Sequence, residues 1–333
     1  MPAIEHRSVI LTLQDLTEAR WVRAMAEAGL NTLMLHAVRL PHDINHLINF
    51  RSSDAGRRLL EECRETGIAV EYQMHTATWL VPRMLFRKKP EMFRMNVRGE
   101  RTSDCNFCAS SDEAWEMFDV RAQRLVRELP SDTGRYLLFP DDVAEGACHC
   151  RACAHLTPSE QALLYANRML RAVRKVHPDA RVSYLAYHAT LSAPETIKPD
   201  DGVFLEFAPI RRCYRHTLDD AGCAVNRAQA AALRSNLDFF GRQPFHVTEY
   251  WLDASLHGGR RRPTTKLPVP VDIVRRDIEF YAGLGATSIA SYAVMCDEEY
   301  WEHFGAPPLR EYGAALGQQS QRRIVGRGCR SDP

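Results

Sequence analysis

Two aspartates, Asp141 and Asp142, stand side by side just after the apolar run Tyr136-Leu-Leu-Phe139 and Pro140. Paired carboxyl groups are what cleavage of a glycosidic bond requires: one protonates the leaving oxygen, and the other attacks or activates the attacking group. Successive residues of an extended chain point to opposite sides, so both aspartates reach one site only if the strand has ended and the loop redirects them. A third carboxylate, Glu249, closes the run Phe245-His-Val-Thr. It needs either a polar mouth or an ion partner, because an unpaired buried charge is costly. Asp142 as acid/base with Glu249 as nucleophile is one expected pairing. Asp141 as the orienter of a substrate acetamido group, with Asp142 as the acid, is another. Either aspartate could instead cap or hydrogen-bond the following loop.

The cysteines form the second chemical group. Cys105-Asn-Phe-Cys108 and Cys148-His-Cys150-Arg-Ala-Cys153 have metal-ligand spacing, and Cys213 with Cys223 makes a looser third set. Four thiolates, Cys105 or Cys108 with Cys148, Cys150 and Cys153, could close a tetrahedral structural zinc site. Reduced thiols or a loop disulfide are the alternatives. No cofactor is expected for catalysis itself. Cys63 and Cys296 have the surroundings of small core residues.

Positioning such groups needs a scaffold, and the apolar pattern supplies one. Strand-like runs begin at Ser8, Asn31, Ile68, Tyr136, Arg181, Gly202, Phe245 and Thr287, and helical patterns separate them. This alternation predicts an α/β fold, a single (β/α)8 TIM barrel over residues 1–317, with long loops after strands three and four. Residues 318–333, rich in Arg, Gly and Ser, are expected to be a disordered C-terminal tail. Barrel active sites lie at the carboxyl ends of the strands. Read in turn, those ends give His36, His75, Asp141 with Asp142, His188, Glu206, Glu249 with Tyr250 and Trp251, and Tyr292. The histidines, Glu206 and the aromatic residues are thereby expected to bind substrate, the flat rings stacking on sugar faces, although each could equally fill the barrel. Arg211 and Arg212, just past the sixth strand, could hold a substrate carboxylate such as a uronate.

The 43 Lys+Arg nearly balance the 42 Asp+Glu for a net charge of +1, so the footprint of a nucleic-acid binder is missing. No apolar stretch reaches the about 18 residues of a membrane span. The start, Met1-Pro-Ala-Ile-Glu-His-Arg, lacks the apolar core of a signal peptide, which predicts a cytoplasmic protein.

The order Phe139-Pro-Asp-Asp142, Cys148-x-Cys150-x-x-Cys153, Arg211-Arg-Cys-Tyr-Arg-His216, Cys223-x-x-Asn226 and Glu249-Tyr-Trp251 resembles a glycosidase-like family, domain of unknown function 4838. The resemblance spans roughly residues 68 to 255. It implies a TIM barrel related to α-glucuronidases and β-N-acetylhexosaminidases, with Asp142 as proton donor. The aspartate pair is also similar to that of O-GlcNAc hydrolases, where the first orients the acetamido group. The expected function is hydrolysis of a hexosamine- or uronic-acid-containing saccharide. The expected partner is a small carbohydrate, not nucleic acid or membrane, and the oligomeric state is left open. Two alternatives are a non-catalytic carbohydrate-binding barrel and a metal-dependent hydrolase using His36, His75 and His188.

Overall fold

A computed structural model describes residues 3–37 and 42–325. The elements run β1 (His6–Thr12), α1 (Trp21–Glu27), β2 (Thr32–Ala37), α2 (His42–Ser52), α3 (Asp54–Thr66), β3 (Ala69–His75), α4 (Ala77–Leu80), α5 (Asp112–Glu128), β4 (Arg135–Phe139) and α6 (Pro158–Arg174). They continue with β5 (Arg181–Ala186), β6 (Val203–Phe207), α7 (Ala224–Phe239), β7 (Phe245–Glu249), α8 (Ala254–His257), α9 (Val271–Leu284), β8 (Ala286–Tyr292), α10 (Glu298–Phe304) and α11 (Leu309–Val325). The strands pair in sequence order and close into one parallel barrel, the (β/α)8 TIM architecture expected. Every residue of β4, β6 and β7 is buried, as a parallel sheet covered on both faces demands.

Two compact units divide the chain. One comprises Met1–Leu35, Arg58–Val70 and Glu206–Pro333, and the other His36–Arg57 and Glu71–Leu205. In the first, Trp21, Phe245, Trp251, Tyr281 and Tyr312 are fully buried, and α11 lies against α1 and α9. The last approach depends on Gly313, where a Cβ would fall 1.8 Å from the carbonyl oxygen of Ala28. In the second unit α6 packs on α5, β4 and β5. Its first turn is closed by Thr157 and Glu160, whose side chains satisfy each other's backbone N–H groups. The long connection after β3 is ordered by α4, by 3-10 turns at Arg83–Arg87 and Pro90–Met92, and by Phe107 packed edge-on to Trp115 at 4.7 Å.

Two helices, α2 and α3, fill the connection from β2 to β3; in α2 Ile44 and Leu47 are buried and Ile48 and Phe50 half-buried. Strand β5 stops at Ala186, and His188 takes a positive φ of 48°, outside any strand conformation. Helix α11 runs to Val325, into the segment expected as a tail. Val38, residues 326–333 and hence Cys329 lie outside the described residues. Among the described residues no helix is long and apolar enough to cross a membrane.

Candidate active site

The two neighbouring aspartates at the end of β4 have opposite surroundings. The Asp141 side chain is only 6% exposed. Its Oδ1 accepts the Thr78 N–H at 2.9 Å, and its Oδ2 accepts the Thr78 hydroxyl at 2.6 Å, the Asn106 N–H at 2.7 Å and Arg83 Nη2 at 2.5 Å. Oδ2 thus takes three of the four bonds and Oδ1 one, so most of the carboxylate's acceptor capacity serves the surrounding loops. Its own N–H donates to Asn106 Oδ1 at 2.8 Å. Asn106 presents both groups from a positive φ of 45°, a conformation asparagine tolerates better than most residues. Asp141 therefore ties α4 and the loop at Asn106 to the end of β4. This is the loop-bonding role.

Asp142 is exposed, and its carboxylate accepts no hydrogen bond from the described residues. It lines a cleft with His75, Tyr184, Tyr187 and His188. His75 Nδ1 lies 2.5 Å from the Pro140 carbonyl oxygen, so Nδ1 carries the proton and donates, and Nε2 is the other ring face. The His36 ring stands at a right angle to that of His75, centroids 6.4 Å apart. Burial, then the neighbouring His75, pulls His36 down to about 3 and keeps its imidazole neutral. The His188 ring meets Tyr187 edge-on at 4.2 Å. Among the described residues, the groups close enough to hold a metal are Cys108 with Cys148, Cys150 and Cys153, and Cys213 with His216 and Cys223. The three strand-end histidines form no such group among the described residues.

Glu249 completes β7 and is fully buried. Its Oε1 accepts Arg212 Nη1 at 2.7 Å and the Tyr281 hydroxyl at 2.6 Å, while Oε2 accepts only the Tyr250 N–H, at 3.3 Å. The Arg212 side chain is fully buried too and also pairs with Asp277 Oδ2 at 2.6 Å. Burial works against its charge, but Glu249, Tyr281 and Asp277 outweigh it and hold the guanidinium protonated. Burial pushes Asp277 up to about 6, with Glu249 adding to the shift and Arg212 opposing it. Burial also raises the Tyr281 phenol well above its usual range, so it remains a donor. Asp277 and Tyr281 are one turn apart on the buried face of α9. An aspartate and a tyrosine on an apolar helix face were the readable signal for these partners, whereas Thr78, Arg83 and Asn106 carried none.

The remaining expected binding residues separate. Arg212 is engaged by Glu249 and Asp277 and cannot bind a uronate, whereas Arg211 is exposed. Glu206 is fully buried and accepts from Thr248 at 2.7 Å, in a polar chain that continues through His246 to Ser288. That makes it an interior group. Trp251 is 1% exposed and donates its indole N–H to Asp277 at 3.3 Å, a packing role. Tyr250 and Tyr292 stack nearly parallel at 5.1 Å, and Tyr292 is half-buried.

Cys108 Sγ lies 3.6 Å from the sulfurs of both Cys148 and Cys150 and 4.0 Å from that of Cys153. Four thiolates on a tetrahedral zinc, with Zn–S of about 2.3 Å, place their sulfurs about 3.8 Å apart. The Met95 N–H points at Cys148 Sγ at 3.3 Å, and Ser110 Oγ lies 3.2 Å from Cys108 Sγ. Cys105, expected as an alternative ligand, is outside this group. The turn at Asn106 and the packing of Phe107 among aromatic rings bring Cys108 to the other three cysteines. Cys105 stays beside Arg94 and Asp104, its thiol pushed by burial up to about 11.

Solved structures share this fold at low sequence identity. The β-galactosidase from Rahnella sp. R3 superposes with a TM-score of 0.60 at 14% identity, over 96% of this chain and 57% of that one. The β-galactosidase from Bacillus circulans sp. alkalophilus gives 0.59 at 11% identity, over 96% and 56%. A glycoside hydrolase family 5 enzyme from Prevotella bryantii B14 gives 0.53 at 9% identity, over 95% and 97%. The chain thus spans about 57% of the length of the first of these enzymes. No curated protein matches it. The family described as "Domain of unknown function (DUF4838)" matches residues 2–234, and with the barrel, the aspartate pair and the cysteine group in place, the chain belongs to that family.

Proposed function

We propose that the chain is a glycoside hydrolase in which Asp142 is the acid/base. The observation that carries this reading is the contrast between the two neighbouring aspartates: Asp142 is exposed and unengaged in a cleft, and Asp141 is buried and hydrogen-bonded. Asp142 protonates the leaving glycosidic oxygen as its bond to the anomeric carbon breaks, and then takes a proton from the water whose oxygen bonds to that carbon. The four bonds that hold Asp141 to its loops weigh against it as the orienter of a substrate acetamide. A uronide needs only a cation, and the exposed Arg211 is available for it.

One observation favours the second reading, a non-catalytic sugar-binding barrel: Glu249 has no exposed surface. A panel of aryl uronides, N-acetylhexosaminides and galactosides, with the product anomer followed by proton NMR, separates the two. Uronide cleavage is expected. Asp142→Asn should lower kcat by about 10²–10⁴-fold. Sugar binding without cleavage, unaltered in Asp142→Asn and Glu249→Gln, would leave only the binding barrel.

We also propose that Cys108, Cys148, Cys150 and Cys153 hold a structural zinc that fixes the loops on either side of Asp141. Thiolates persist in a reducing compartment, which agrees with a cytoplasmic location.

A further inference from the structure

We propose that Cys213, His216 and Cys223 form a second zinc site, distinct from the four-cysteine group, with its fourth position open to solvent or a ligand. Their three donor atoms lie within 4.8 Å of one another. Cys213 Sγ is 3.6 Å from His216 Nδ1. A tetrahedral zinc with Zn–S of about 2.3 Å and Zn–N of about 2.0–2.1 Å sets that separation at about 3.5–3.6 Å. Cys223 occupies the cap position of α7, where Ser, Thr, Asp or Asn would normally satisfy a backbone N–H. Its side chain makes no capping bond, so the sulfur is not committed to the helix.

The loop that brings these donors together is already built. Asn226 is fully buried, and its side chain serves the ligand-bearing backbone alone. Its Oδ1 accepts the Cys213 N–H at 2.7 Å, and its Nδ2 donates to the carbonyls of Cys213, His216 and Thr217 at 2.9, 3.0 and 2.9 Å. A donor set fixed by a neighbouring hydrogen-bond network loses little entropy on binding. Two thiolates and one neutral imidazole also balance the charge of a divalent zinc. Binding forms two Zn–S bonds and one Zn–N bond and releases the two thiol protons to solvent, with no electron transferred. The exposure of His216 and the partial exposure of Cys213 give the ion a way in. The same loop carries Arg212, whose Nη2 donates to the His216 carbonyl at 2.8 Å and whose Nη1 holds Glu249. A metal on His216 therefore stiffens the support of Arg212, whatever reaction Glu249 serves.

The test uses the full chain, and it reads metal rather than turnover, so it does not depend on the glycosidase reading. Zinc content after exhaustive dialysis is compared among wild type, Cys213→Ser, Cys223→Ser and Cys150→Ser. Each of the first two variants should lose one equivalent while keeping the metal of the four-cysteine group, and Cys150→Ser should do the converse. In the cadmium-113 spectrum, Cys213→Ser should remove the less deshielded of two resonances. Wild-type zinc content in both Cys213→Ser and Cys223→Ser would overturn the site, and so would a Cys213–Cys223 disulfide in protein purified without added oxidant. If the variants fail to fold, alkylation of Cys213 in the unmodified chain still decides. Zinc should slow it by about tenfold or more, since the bound thiolate is no longer a free nucleophile, and equal rates with and without zinc would count against the site.

Discussion

Asp141 and Asp142 are chemically identical, yet their partners give them different tasks. Replacing Asp141 by Asn removes the charge opposite Arg83, whose side chain is only 18% exposed. Losing one member of a largely buried pair costs about 3 kcal/mol. Asp141→Asn should therefore lower the free energy of unfolding by that much, read as a fall in the urea midpoint, whereas Asp142→Asn should leave the midpoint in place. Full stability of Asp141→Asn, or an equal loss in Asp142→Asn, would reverse the assignment. The sequence made the pair conspicuous but could not say which member is buried. The answer lies in Asn106 and Thr78, 35 and 63 residues away. The same holds for Glu249: its need for a partner was legible, but the choice of Arg212 and Tyr281 depends on a loop and a helix that fold onto it. Cys108 rather than Cys105 was undecidable for the same reason, since both sit in one short turn-forming run.

At the scale of elements, α9 contributes Asp277 and Tyr281 to one charged cluster, and Asp277 makes that cluster sensitive to pH. Its folded value near 6 stands above the ordinary 3.8 because burial penalises the anion. Between those values the folded state holds a proton that the unfolded chain has released. This contribution to stability is full below about 3.8 and is lost as pH rises through 6. The stability of wild type relative to Asp277→Asn should therefore decline from pH 4 to 6 and level off above 7, as read by denaturant titration at each pH. A flat difference across that window would mean that Asp277 is ionised throughout. The strands were legible because parallel strands covered on both faces read as continuous apolar runs. Helix α2 carries a shorter apolar stripe, with Ile44 and Leu47 buried and Ile48 and Phe50 half-buried.

For the whole molecule, the closed barrel was legible from the count of strand–helix units, whereas its partition into two compact units was not, since contact density has no local sequence signature. Stripping metal with a mercurial and a chelator should lower the melting temperature by on the order of 5 °C, the shift that a loss of a few kcal/mol produces in a chain of this size. Readdition of zinc should restore it. An unchanged melting curve, with metal loss verified, would make the four-cysteine group a cluster of plain thiols. The cysteines have one more use. Cys105 lies buried in the unit formed by His36–Arg57 and Glu71–Leu205, and Cys63 and Cys296 lie buried in the other. Among the described residues none of the three has its sulfur in a group close enough to hold a metal. Each is a built-in clock for the transient opening of its own surroundings: the rate at which a thiol reagent reaches it reports how often that part of the barrel breathes, without a label or a mutation.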